Sequence, residues 1–454
     1  MSRFAIVPLI ETQQYDNGLR LIYQKSPSVV PLTSIQVFCN VGSAFEIDKH
    51  RGMAHMVEHM VFKGTEDKLP REIFEMFDKY GAQFNAYTTK RLTCYTFKCD
   101  SEYVEECLPI MSDMLFHSTF PKKEYEKEKE VVKQENIRDK NDESRINYQN
   151  FCEIVYNGSS YVYPVDTLEY HDEKNEWSLK QVIEWYNHYY QPQHMVLSIV
   201  SSLSFSKIKH IINKSGFTYK VQNPFGHAPM GLRFPMNNLP LKQKSSIVCG
   251  KKNGMTNTHI MVGFPCYSYH DNKRYCISLL SQLLNGMSGR LFMLLREKTP
   301  LTYRVFSETE YEEYRGYFSF VVECSNDNLF EYKSDSKSPV KPGVIPILVK
   351  LTRDLYNNGI TQTELNFAKT QIRNATMMNY EDIDNFCEYN GRYELIYNHK
   401  DFVSFDKLYE EFYKPITLKE VNHCIRETLN PKKMVVTLLS NKPPTTNKVK
   451  KYCF

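Results

Sequence analysis

Two histidines four residues apart enclose a carboxylate in the run His55-Met56-Val57-Glu58-His59. On a helix, positions i and i+4 lie one above the other, so both imidazoles emerge from one face and can converge on a single ion. Glu58, at i+3 from His55, lies beside them. Two neutral imidazoles with an adjacent carboxylate are the groups of a catalytic zinc served by a general base. Gly52, Met53, Ala54, Met56, Val57, Met60, Val61 and Phe62 make the surrounding segment apolar nearly all round, which predicts a buried helix. Histidines and a glutamate are costly there unless something binds them. Gly64, followed by Thr65, supplies a helix stop.

A catalytic zinc also needs a third protein ligand and an open position. The segment from Lys122 to Ser144 reads as one long helix, and Glu128 and Glu135 stand two turns apart on one stripe of it. Val131 and Val132 fall between them and Ile137 on the edge. The other acids, Glu124, Glu126 and Glu130, alternate with Lys122, Lys123, Lys127 and Lys129 as on a solvated helix face. A carboxylate pointing into a core wants a metal or a cation, which leaves Glu128 and Glu135 as the candidates.

Four stretches then fall into a known order. Asp16-Asn17-Gly18-Leu19-Arg20 is followed by Val41-Gly42-Ser43-Ala44-Phe45-Glu46. Next come His55-x-x-Glu58-His59-Met60-Val61-Phe62-Lys63-Gly64-Thr65 and Gly81-Ala82-Gln83-Phe84-Asn85-Ala86-Tyr87-Thr88. With these, the chain closely resembles the pitrilysin/insulinase family of zinc metallopeptidases, the inverzincins, named for the H-x-x-E-H order. The likeness is strongest to its shorter branch, which includes the mitochondrial processing peptidases. The resemblance implies an α+β fold of two similarly built domains, each an antiparallel-rich mixed sheet covered by helices. It implies one Zn2+ per chain and hydrolysis of peptide bonds with Glu58 as general base. In that family the third ligand follows the second histidine by seventy-odd residues on a helix of this kind. Glu135, 76 positions after His59, is therefore expected to complete a metal site of His55, His59 and Glu135, with Glu128 as its supporting carboxylate.

Peptide hydrolysis also needs the scissile carbonyl held and its developing oxyanion met by donors. The stretch from Gln83 to Phe97 has a strand composition. An extended substrate can add to a strand edge through main-chain hydrogen bonds. The resemblance assigns that role to the matching strand, so Asn85 and Ala86 are the expected substrate contacts. Further on, Gly286-Met287-Ser288-Gly289-Arg290-Leu291-Phe292 leads into Arg296 and then Leu301-Thr302-Tyr303. This is similar to the family's Arg/Tyr pair, seven positions apart: Arg296 would orient the substrate backbone and Tyr303 would donate to the oxyanion. Pro300 departs from the glycine usual there. Some short-branch members divide the zinc set and the Arg/Tyr pair between two chains, whereas both are present here. The resemblance thus implies a self-sufficient homodimer, with the active half of a heterodimer or a catalytically silent scaffold subunit as alternatives. Its substrates would be peptides or unfolded segments.

The rest of the chain bounds the setting. It has 454 residues, is 41% hydrophobic and 24% charged, and carries a formal net charge of only +4. Acids and bases are interspersed, so neither a nucleic-acid partner nor a membrane surface is indicated. No apolar run approaches the roughly 20 residues of a membrane span. The first residues lack a signal- or transit-peptide pattern. The 12 cysteines are scattered and form no C-x-x-C pair, as expected of thiols in a reducing compartment; the expected location is cytoplasmic. Pro192-x-x-Met195-Val196-Leu197-Ser198-Ile199 returns 239 positions later as Pro431-x-x-Met434-Val435-Val436-Thr437-Leu438, each copy after a predicted helix. The expected organisation is a zinc-binding domain over 1–218, a linker over 219–243, a similarly folded domain over 244–441 bearing the Arg/Tyr pair, and a loose basic tail over 442–454. An exposed loop is expected from Ser325 to Pro346.

Overall fold

The computed structural model describes residues 10–46, 51–166, 177–219, 244–331, 333, 339–397 and 402–453, apart from the side chains of Tyr303, Tyr380 and Asp406. The expected linker, except Tyr219, lies outside the described residues.

The first half runs β1 (Ile10–Gln14), β2 (Arg20–Lys25), β3 (Leu32–Cys39), α1 (Met53–Val61), α2 (Pro70–Lys79), β4 (Gln83–Thr88), β5 (Thr93–Asp100), α3 (Val104–Phe116), α4 (Lys122–Asn141), α5 (Glu143–Val155), α6 (Leu179–Tyr189), β6 (Met195–Ser201) and α7 (Phe205–Lys214). The second half runs β7 (Ser246–Lys251), β8 (Asn257–Cys266), α8 (Arg274–Leu284), α9 (Arg290–Phe292), which continues as a π-helical stretch Met293–Glu297, and β9 (Thr302–Tyr311). It continues with β10 (Gly316–Ser325), α10 (Val344–Asn358), α11 (Gln362–Met378), α12 (Ile383–Tyr397), α13 (Leu418–Thr428), β11 (Val435–Ser440) and α14 (Thr446–Cys453).

Among the described residues the strands form two mixed sheets, in the orders β1-β2-β6-β3-β5-β4 and β7-β11-β8-β10-β9. Without β1 the two orders correspond strand for strand: a parallel pair (β2/β6 or β7/β11), then antiparallel neighbours. The repeat read from Pro192 and Pro431 is thus one strand of a duplicated α+β half. β6 and β11 are buried along their whole length, which explains their near-continuous apolar sequence.

The chain divides into two compact units that do not follow the midpoint of the sequence. Unit 1 comprises Met1–Ile137, Tyr163–Met236 and Met377–Lys407; unit 2 comprises Arg138–Val162, Asn237–Thr376 and Leu408–Phe454. Each half thereby lends a helix to the other half's sheet. In unit 1, α12 packs on β6 and β3. Gly391 lies against the Phe38 ring, Ser198 Oγ donates to Cys387 O over 2.7 Å, and Arg20 Nη1 donates to Glu394 O over 2.9 Å. In unit 2, α5 packs on β11 and β8. There Phe151 lies against Gly263 and meets the Tyr317 ring edge-on at 5.1 Å between centroids.

Several local expectations change. The helix expected from Lys122 to Ser144 ends at Asn141, because the Asp142 side chain accepts from Ser144 N and Arg145 N and starts α5. The buried stripe of α4 is Tyr125, Glu128, Val132 and Asn136, so Val131 and Ile137 face outward. The strand expected from Gln83 to Phe97 is a hairpin, closed by Thr89 N donating to Leu92 O over 2.8 Å. The loose tail is instead largely helix α14, whose Val449 and Cys453, four apart, are buried against the core. In the loop expected from Ser325 to Pro346, Leu329 and Phe330 are buried, α10 begins at Val344, and residues 332 and 334–338 lie outside the described residues. All 12 cysteines are free thiols. No helix among the described residues is long and apolar enough to cross a membrane.

Candidate metal centre

The histidine motif lies on α1 in unit 1, against α6 and strands β4 and β5. Gly52 precedes the helix with a left-handed φ of 76°, where a side chain would be strained. The first-turn N–H groups of Gly52 and Ala54 donate to the Glu46 carboxylate over 2.6 and 2.9 Å. Glu46 therefore anchors the start of the helix, and the apolar positions Met53, Met56, Val57, Met60 and Val61 bury it.

The two imidazoles converge as the i, i+4 spacing requires. Nε2 of His55 and Nε2 of His59 stand 3.2 Å apart. From α4, the half-buried Glu135, beside the buried stripe, brings Oε2 to 3.4 Å from His59 Nε2 and 3.8 Å from His55 Nε2. Among the described residues these three side chains alone form a group able to hold a metal ion. Ligands about 2.0–2.1 Å from a tetrahedral zinc stand roughly 3.3 Å from one another, so the triangle has the size a zinc ion requires. Its donor set, two imidazoles and one carboxylate, is that of a hydrolytic zinc with one position open.

The outer nitrogens of both rings face carboxylates. His59 Nδ1 is 3.0 Å from Glu128 Oε2, and Lys63 Nζ holds Glu128 Oε1 at 2.7 Å. His55 Nδ1 is 3.1 Å from Asp166 Oδ1. Burial works to lower the His59 pKa, but the Glu128 contact and the charges of Glu58 and Glu135 outweigh it and raise the group above its ordinary value. Burial works to raise Glu128, yet His59 and Lys63 hold it below the usual carboxylate range. Glu58 is different: burial pushes it up, and the hydroxyl of Thr88, which donates to Oε2 over 2.5 Å, only partly offsets this. A carboxyl raised in this way is a stronger base than a surface glutamate.

Asn85 and Ala86 lie on β4, the end strand of its sheet. Asn85 is exposed, and its Oδ1 accepts from the Ala86 N–H over 2.9 Å. Two residues on, and so on the same face as Ala86, Thr88 reaches Glu58. Arg296 and Tyr303 lie in unit 2. The exposed Arg296 guanidinium sits 4.9 Å from the centroid of the Phe292 ring. The β9–β10 register slips by one between Glu323 and Cys324, which leaves Tyr303 as the extra residue of a bulge, a feature common beside active sites.

Sequence reasoning missed three contacts. Lys63, one turn beyond His59, was within reach of the helix-face argument that found Glu128. Thr88 lies in a quoted motif, but strand composition alone does not mark it as a partner of Glu58. Asp166 stands in an irregular segment with no periodic signal.

A family model described as insulinase (peptidase family M16) matches residues 21–164, and one described as the peptidase M16 inactive domain matches residues 176–372. The chain is 30% identical to the uncharacterized zinc protease YmxG of Bacillus subtilis, over 92% of this chain and 95% of that protein. It is 23% identical to the mitochondrial-processing peptidase subunit beta of Saccharomyces cerevisiae, over 85% and 82%. Among solved structures, a protease from Helicobacter pylori superposes with a TM-score of 0.83 at 20% identity, covering 95% of this chain and 99% of the other.

Proposed function

The chain belongs to peptidase family M16, and on that premise we propose that it is a zinc-dependent endopeptidase acting on peptides or unfolded segments. The observation that carries the reading is the triangle of His55, His59 and Glu135 with the buried carboxyl of Glu58 beside it. A zinc ion held by those three side chains would polarise the scissile carbonyl and acidify the attacking water near neutral pH. Glu58 then takes the proton from that water and delivers it to the leaving amine. Thr88 fixes the carboxylate for both transfers. Glu128 supports the ligand set through His59.

The substrate adds as an extended strand to the edge of β4, with Asn85 and Ala86 as its main-chain partners. Arg296 orients the substrate backbone and Tyr303 donates to the oxyanion. Because one chain carries both sets, the working form is a homodimer; mass measurement of the active species tests this against a heterodimer with a second subunit. The names of the relatives, zinc proteases and a processing-peptidase subunit, support the same chemistry. Digestion of a peptide library by the purified chain tests the activity itself. Internal cleavages that stop on chelation and return with Zn2+ are expected. A chain that holds one zinc yet cleaves nothing would overturn the proposal.

A further inference from the structure

The two metal-facing imidazoles are supported from different parts of the chain. His59 leans on Glu128 of α4, a regular helix. His55 Nδ1 lies 3.1 Å from Asp166 Oδ1, within ion-pair distance but outside the angle of a hydrogen bond; Asp166 belongs to no helix or strand and stands 31 positions beyond Glu135. A lone loop carboxylate would be a poor support unless the loop itself were held.

It is held three residues earlier, at Tyr163. The Tyr163 carbonyl accepts from Ser43 Oγ over 3.1 Å and from Lys90 Nζ over 3.2 Å. The guanidinium of Arg51 lies 4.4 Å from the centroid of the Tyr163 ring. Ser43 is fully buried and Lys90 nearly so, so both donors are taken from water. Ser43 and Lys90 are themselves joined through the backbone, since Ser43 N donates to Thr89 O over 3.1 Å and Ala44 N to Lys90 O over 2.8 Å. The segment before α1 and the turn of the β4–β5 hairpin thus form one seat for Tyr163. Asp166 follows three residues on, beside His55.

The consequence lies in the orientation of the ring. A carboxylate beside the outer nitrogen of an imidazole favours the tautomer with the proton on that side, and a small turn of the ring on metal binding would align the pair, leaving the other nitrogen for the metal. We infer that Asp166 is a positioning residue: from the loop seated by Ser43, Lys90 and Arg51 it holds His55 with Nε2 toward the metal and tightens the hold on the ion. This rests on the zinc reading of the site, and its test separates the two.

The measurement is the affinity of the full-length chain for Zn2+ alone, by competition with a chromogenic chelator, for wild type, D166A and D166N. Wild type is expected to bind one Zn2+. D166A should bind it about 10–100-fold more weakly, while D166N, which keeps an acceptor of the same size, recovers part of the loss. The metal-free melting temperatures should be alike. D166A with wild-type affinity, D166N no better than D166A, or a metal-free D166A that melts early would each overturn the inference. A wild-type chain that takes up no Zn2+ would overturn the metal site itself, and the inference with it.

Discussion

Thr88 Oγ1 donates to Glu58 Oε2 across 2.5 Å, which ties the end strand of the first sheet to the helix that carries the histidines. Burial raises the Glu58 pKa, and this hydroxyl is the first of the effects that oppose the rise. Glu58 acts as a base only when ionised, so activity falls as pH drops through its pKa. Losing a hydrogen bond to a charged group is worth about 1.5–3 kcal/mol. T88V should therefore move the acid limb of the kcat/KM profile upward by about one pH unit or more, and T88S should restore it. An unmoved or lowered limb in T88V would count against Glu58 as the base.

His59 makes zinc uptake proton-linked. Its pKa is raised in the metal-free protein, whereas a metal ligand must be a neutral imidazole. Calorimetry of Zn2+ binding in two buffers of different ionisation enthalpy should show net proton release just above pH ~6.5. The release should fade as pH climbs past the raised value. The sign for stability is the same: in the metal-free chain the contribution of His59 is present below pH ~6.5 and lost above its folded value. Binding without proton release in that window would exclude His59 as a ligand.

Glu128 has the opposite sign. Its lowered pKa contributes stability that is fully present above the unfolded value of about 4.3 and lost as pH falls through the folded one. E128Q should flatten this acid-side slope in the metal-free protein and weaken Zn2+ binding by about 10–100-fold. Chemical denaturation as a function of pH, together with chelator competition, reads both. Unchanged zinc affinity would remove Glu128 from the site.

The exchanged helices can be tested by adding one methyl group. A Cβ on Gly391 would lie 2.1 Å from the buried Phe38 ring, and one on Gly263 would lie 2.4 Å from the Phe151 ring. Alanine normally gains about 1 kcal/mol over glycine inside a helix, but overpacking a closed core costs about 1–3 kcal/mol. Both G391A and G263A should lower the thermal midpoint. A G391A chain as stable as wild type would show that α12 does not close on the first sheet.

What the sequence disclosed follows from the range over which each signal acts. His55, Glu58 and His59 are legible because one helical turn relates them, and Glu128 and Glu135 because two turns do. The duplicated sheet is legible in the Pro192 and Pro431 strands, since strands buried along their length must be apolar throughout. The outward turn of Val131 and Ile137 was not legible, because both neighbouring stripes of α4 carry apolar residues and only packing decides between them. The break at Asn141-Asp142 was available as a capping signal within an otherwise helical run. Asp166 and the exchange of α5 and α12 depend on contacts between distant segments, such as Arg20 with Glu394, and no local period encodes these.

Proton transfer by Glu58 at a metal held by His55, His59 and Glu135 is tested most directly by peptide hydrolysis with E58Q chain shown to carry one zinc. The expected result is full zinc content with turnover reduced by about a hundred- to ten-thousand-fold. An E58Q chain that keeps its zinc and cleaves at the wild-type rate would contradict the proposed chemistry.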